Sequence, residues 1–227
     1  MTKQHLNFDE IFSFAWSKTK QHAWFIACSF IIYAVILSAV RMVPVLDAIV
    51  SMLIALSMLS MSLIIVRNES FTFSDLVNKL RSPKLVINFV ALTVLYCAAV
   101  SVLVIPFVIT ASLAAGAFMA GVAFNSKLIA VLVVTAAMLI PGVLLAVRFK
   151  FYPYVLLENE HMSVVQVIKQ TYKLTCCATW QILKLLIALT LLNLLGVIAF
   201  GVGLILTVPI SVFAFAHAFR KLEGHSH

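Results

Sequence analysis

Charge is what this chain has least of. Asp, Glu, Lys and Arg together make up 11% of its 227 residues, against roughly a quarter in soluble globular domains. Acids are the scarcer sign, with eight carboxylates facing sixteen Lys and Arg. Several motifs are missing as well. There is no Gly-rich phosphate loop, no nucleophile elbow, no HExxH pair and no pair of carboxylates inside an apolar run. An intramembrane hydrolase, a pump and an NTPase therefore each lack their minimum parts. The six histidines, His5, His22, His161, His217, His225 and His227, show no metal-ligand spacing within any span. The expectation is a protein that is not an enzyme and holds no cofactor or metal. The four cysteines do not make a disulfide framework. Cys28 and Cys97 sit inside apolar runs, where small core residues are expected, and the neighbours Cys176 and Cys177 are too close for an ordinary bridge.

What is abundant is apolar surface. Hydrophobic residues reach 63% and mean hydropathy is +1.12, a composition of the membrane class. The net charge of +8 could serve nucleic acid or membranes. Its placement excludes nucleic acid, because the cations flank apolar runs instead of forming a basic stripe with interleaved aromatics. No signal peptide is evident, since the first apolar run begins at Ala23, is too long for a signal core and lacks a small-x-small site after it.

A hydrocarbon core of ~30 Å takes about 20 apolar residues as a helix. On that measure the spans are 23–40, 48–66, 85–105, 128–147, 182–200 and 203–219, making three hairpins. Pro44 is well placed to start the second helix, and Phe200-Gly201-Val202-Gly203 supplies a turn between the last two. The segment 110–124 is left as a continuation of the third span, a re-entrant piece or an interfacial helix. With six spans, fourteen of the sixteen Lys and Arg fall on one side, and only Arg41 and Lys127 on the other. The positive-inside rule then puts both termini in the cytoplasm.

Each odd-numbered span is preceded by a short amphipathic segment, giving interfacial elbow helices over 7–21, 72–82 and 163–175. They open LNFDEIF, FTFSDLV and MSVVQVI. In each, an apolar residue precedes a capping residue (Asn7, Thr72, Ser163), and Glu10, Asp75 or Gln166 follows three positions later, a pattern like the capping box. Apolar stripes follow at helical spacing: Phe8, Ile11, Phe12 and Ala15 in the first, Phe73, Leu76, Val77 and Leu80 in the second. Extended without gaps, the three units bring Trp24, Phe89 and Trp180 into register. This predicts a triplicated unit of elbow helix plus hairpin, with apolar stripes lying in the membrane interface.

The stretch IPGVLLAVRFKFYPYVLLENEHMSVVQVIKQTYKLT (140–175) resembles the YciC-like family of uncharacterised bacterial inner-membrane proteins. It is also similar to the membrane domain attached to some glycerophosphoryl diester phosphodiesterases. The shared features are Pro141-Gly142 within the fourth span and Pro153 before an apolar run ending at Glu158. An amphipathic helix then closes on Tyr172-Lys173-Leu174-Thr175. Cys176-Cys177 departs from the Lys-Gly or small polar pair that members often carry, which puts the local turn in doubt. Outside these residues the likeness is of span count and order. The resemblance implies an inner-membrane address and six spans, and brings no reaction, cofactor or catalytic residue.

Few side chains are candidates for chemistry. Arg148 and Lys150, beside Tyr152 and Tyr154, would form either a headgroup pocket or an aromatic belt with snorkelling cations, and Pro153 is expected to bend or stop the fourth helix. Asp47 is the best intramembrane ionisable group, with Arg41 as a partner across the first turn. Asn193, central in its span, and Asn88, just inside the third, would hydrogen-bond a neighbouring helix or a solute. The fold class expected is all-α, a polytopic bundle forming one integral membrane domain over 1–227. Its partners would be membrane lipids or another membrane protein, with no nucleic acid. It would act as an accessory protein through those contacts, the alternative being a transporter of a lipid or small solute.

Overall fold

The computed structural model describes residues 7–40, 42, 44–67, 82–119, 126–159, 161–176, 178–198 and 203–224. Among them every regular element is helical. In chain order these are α1 Phe8–Gln21, α2 Ala23–Val40, α3 Pro44–Val66, α4 Pro83–Met119, α5 Ser126–Phe149, α6 Tyr152–Glu158, α7 Val164–Cys176, α8 Thr179–Ile198 and α9 Leu204–Gly224. Four stretches are long and apolar enough to cross a membrane: Leu46–Val66, Pro83–Gly116, Ile129–Glu158 and Thr179–Ile198. Arg41, nearly all of the second elbow and most of the 200–203 turn fall outside the described residues.

Local chemistry accounts for two helix starts, those of α3 and α7. Pro44 opens α3, where a residue without an N–H costs nothing. The elbow caps are less uniform than their sequences. At α7 the Ser163 N–H donates to Gln166 Oε1 at 2.9 Å, the reach-back half of a capping box. At α1, Asn7 takes the N-cap position but makes no side-chain cap hydrogen bond.

The third span does not end at residue 105. Instead α4 runs on through Pro106 for 37 residues, about 55 Å at 1.5 Å per residue. Residues 110–119 thus continue the helix. Packing against α5 supports this course. Thr110 Oγ1 lies 2.9 Å from Thr135 Oγ1, and a Cβ placed on Gly142 would sit 3.2 Å from Leu103 Cβ. Further along, Thr93 Oγ1 lies 2.8 Å from the Tyr152 hydroxyl. The pairs 110/135, 103/142 and 93/152 share one antiparallel register, so α6 extends the line of α5 along α4. Between them, Pro153 prevents α5 from continuing, because its ring would meet a carbonyl one turn back. The chain restarts instead, with the Phe151 carbonyl accepting from the Tyr154 and Val155 N–H groups, each at 3.1 Å.

Burial is concentrated at one end of the bundle. Residues 60–66 of α3 are buried without a break. Leu85, Phe89 and Leu92 are buried near the start of α4, and 151–157 are buried throughout. α9 packs against α1, α2, α3 and α8, while α6 touches α3, α4 and α7. Away from this end α4 and α5 are bare: Val102, Ile105, Leu113, Val133 and Ile140 are all exposed. Within its apolar span α3 is 50% buried, but α4 only 6%.

Three expectations change on this frame. Ile11 and Ala15 of the first elbow stripe are fully buried because α1 lies along α9, so the stripe faces protein and not lipid. Trp24 and Trp180 are exposed whereas their register mate Phe89 is buried, so the three positions are not equivalent in their packing. Cys97 is exposed, lying on the outer face of α4 and not in a core.

Candidate site at the charged end of the bundle

The aromatic stretch after α5 is interior. Tyr152 and Tyr154 point to opposite sides of α6, as neighbours two apart on one turn must. Tyr152 packs near Phe89 and Tyr96, with ring centroids 6.4 and 5.8 Å away, and its hydroxyl meets Thr93. Tyr154 stacks on Phe219 at 5.5 Å and donates to the Val212 carbonyl at 3.3 Å. Phe151, fully buried, lies 6.1 Å from each of Tyr154, Phe215 and Phe219. Tilted and edge-on aromatic contacts of this kind add to the area they bury. Neither tyrosine hydroxyl is left facing an interface, so α6 behaves as a plug joining α4 to α9.

The two cations of the same stretch stay at the rim. The Arg148 guanidinium lies 5.0 Å from the Tyr172 ring centroid, and its Nε is buried with no hydrogen-bond partner. Lys150 Nζ lies 5.4 Å from the Phe215 ring. Both distances suit cation–π attraction. The remaining predicted residues lie elsewhere. Asp47 is in the first turn of α3, where the helix dipole favours an acid. That is about 30 Å along the axis from the charged end. Its proposed partner Arg41 is outside the described residues. Asn193 bridges α8 and α9, donating to Ser211 Oγ at 3.0 Å and accepting from it at 3.3 Å. Asn88 donates to the Met162 carbonyl at 3.3 Å, holding the start of α4 to the chain entering α7.

A group of charges that spacing could not reveal completes this end. Arg67, just past α3, pairs with Glu158 at the end of α6. On α9, Arg220 donates to the Val66 carbonyl at 3.4 Å, and Glu223 hydrogen-bonds Glu158. Burial first, then the neighbouring Glu158, pushes the Glu223 carboxyl up to about 7, against the pull of Arg67 and Arg220. Next to Arg220, Lys221 Nζ meets Glu10 Oε2 at 2.5 Å, which holds the Glu10 carboxyl below its usual range. The carboxyl ends of α3, α6 and α9 are thereby fastened together, with α1 tied to α9 beside them. Residues 67, 158 and 223 are far apart in the chain, so only the fold brings them together.

An apolar cavity of about 210 Å³ lies between α4, α5, α6 and α7. Among the described residues no three His, Cys, Asp or Glu side chains are grouped to hold a metal ion. Fold and site together define an all-α protein with four helices able to cross a membrane. Compared with protein-family models, curated proteins and solved structures, the chain matches none.

Proposed function

We propose that the chain is a six-span protein of a bacterial inner membrane, with both termini cytoplasmic, acting as a non-enzymatic accessory through lipid or protein contacts. The two spans beyond the four apolar ones are α2 and α9. α2 has 18 residues, or about 27 Å, close to the hydrocarbon thickness. α9 pairs with α8 and α3, as the second arm of a hairpin would. The charge count along the sequence and the YciC-like resemblance of 140–175 supply the orientation and the address. The structural reason for Pro141-Gly142 and Pro153 fits that resemblance, since Gly142 admits Leu103 of α4 and Pro153 starts α6.

The observation that carries the accessory reading is how the polar groups at depth are used. Asn193 with Ser211 and Thr110 with Thr135 hydrogen-bond helix to helix. These side chains hold the bundle together, whereas a solute path would need them turned to a cavity. Meanwhile the long apolar faces of α4 and α5 stay uncovered, available to lipid or to another membrane protein. Native mass spectrometry of protein extracted from membranes with its lipid annulus tests this. Retained lipid or a co-purified membrane protein is expected. A small polar solute retained stoichiometrically, with vesicle uptake lost in Asp47→Ala, would overturn it in favour of transport.

A further inference from the structure

The cavity between the second hairpin and α6–α7 has walls of one chemistry and a rim of another. Leu95, Tyr96 and Ala99 of α4 face Leu145 and Phe149 of α5 and Ile168 of α7 across it. Leu95 is itself about half exposed, so the space opens sideways toward the surroundings of the bundle. Its 210 Å³ falls short of the roughly 300–1,000 Å³ of sites that enclose a drug-sized ligand. It suits part of a flexible apolar chain whose remainder lies outside.

The rim is cationic. Arg148 stands one turn from Leu145 on the same face of α5, and Tyr172 one turn from Ile168 on α7. The guanidinium rests on that tyrosine ring. It makes no ion pair among the described residues, and its Nε is buried without a partner. Lys169 and Lys173 are exposed on α7, a helix whose sequence VVQVIKQTYKLTC contains no acid. Together these residues place an apolar slot and an uncompensated planar cation side by side, at the end of α5 that the charge count puts toward the cytoplasm. A planar guanidinium suits phosphate oxygens in particular.

We propose that this cavity seats one acyl chain of an anionic phospholipid from the cytoplasmic leaflet, with Arg148 taking its phosphate. The site rests on the reading of the chain as a membrane protein that works through lipid contact. It gives that contact a place and a headgroup sign.

The test uses the full chain in phosphatidylcholine vesicles doped with phosphatidylglycerol carrying a photoactivatable acyl chain. Cross-links mapped by peptide mass spectrometry should fall on Leu95, Ala99 and Leu145 in preference to the equally apolar exposed residues Val102 and Val133. Arg148→Gln should lower cavity labelling about tenfold, as loss of one charged hydrogen bond implies. Arg148→Lys should restore most of it. Ala99→Phe, which fills the slot, should abolish it, while unfolding temperature and elution volume report whether each variant still folds. Even labelling around α4 and α5, equal labelling by a phosphatidylcholine probe, or cavity labelling that survives both Arg148→Gln and Ala99→Phe would each overturn the site. Even labelling while native mass spectrometry still retains a lipid or partner protein would sink the site alone. Loss of both would sink the accessory reading with it.

Discussion

α3 and α4 are equally hydropathic and have opposite surroundings. Both are almost wholly apolar, yet α3 ends inside the protein while α4 runs most of its length with Val94, Val102 and Ile109 exposed. The difference lies in the neighbours that each helix meets. Where α3 ends, α6 and α9 converge, and their aromatic side chains and paired charges enclose it. α4 has α5 on one side, and its far half has little else. In a membrane, apolar surface gains little by leaving lipid for protein, so shape and hydrogen bonds decide what packs. The packed end has both; the bare hairpin has a few hydroxyl contacts and one close glycine approach.

The largest test of that contrast is truncation. Phe151→Ala empties the centre of the aromatic cluster and should cost about 3–5 kcal/mol, as core aromatic deletions do. Val133→Ala on the exposed face of α5 should stay within about 0.5 kcal/mol. Unfolding in one fixed detergent compares the two, and similar losses would mean that burial is not polarised as described.

Glycines offer a second comparison, between the α8–α9 contact and α4. A Cβ on Gly196 would lie 2.6 Å from Thr207 Oγ1 and 3.1 Å from the Gly203 carbonyl carbon, whereas one on Gly116 meets nothing within 4 Å. Gly196→Ala must therefore push α8 from α9, at about 1–3 kcal/mol, while Gly116→Ala in α4 should be neutral or slightly stabilising. Equal effects would show that α8 and α9 are not closely packed there.

Hydrogen bonds between helices come next in size. A double-mutant cycle on Asn193→Ala and Ser211→Ala should return a coupling of about 0.6 kcal/mol, with about 1.7 as an upper bound for such pairs in membranes. Thr110→Val with Thr135→Val makes the matching cycle in the bare hairpin. Zero coupling in the first cycle would remove the evidence that Asn193 serves helix packing.

Much of this architecture is legible in the amino-acid order. The ends of α2, the start of α3 at Pro44 and the division of the last apolar run into α8 and α9 all follow from hydropathy, proline and glycine. At Pro153 the expected bend or stop takes the form of a stop. Two things are not legible, each for a physical reason. Hydropathy does not distinguish a side chain facing lipid from one facing protein, so Tyr152 and Tyr154 read as a headgroup pocket or an aromatic belt, and Ile11 as part of a stripe in the membrane interface. Proline in a helix has no fixed outcome either. Pro153, succeeded by a new packed turn, ends a helix, while Pro106, flanked by α5 in steady register, does not. Of the candidate residues, Asn193 bonds a neighbouring helix, and Asn88 bonds the chain entering α7. The charges that gather at Glu158 come from segments too distant in sequence for any spacing to join.

The smallest expected effect distinguishes two carboxylates that α9 brings to the packed end. Glu223 sits with Glu158, Arg67 and Arg220, and its folded pKa of about 7 lies above the ordinary 4.5. The folded state therefore binds this proton more tightly than the unfolded chain does. Its contribution is fully present below about 4.5 and is lost as pH rises through about 7. Glu10, held low by Lys221, has the opposite sign: its contribution is present above the ordinary value and fades only in acid. Between those limits Glu223 changes and Glu10 does not. Glu223 is only half-buried, and solvent screening keeps the effect modest. Glu223→Gln should flatten the fall in unfolding temperature between about pH 4.5 and 7, while Glu10→Gln should lower it evenly across that range. If Glu223→Gln keeps the wild-type slope, the Glu223–Glu158 contact does not hold α9 to α6, and the packed end owes its closure to Arg67–Glu158, Arg220–Val66 and the aromatic cluster around Phe151.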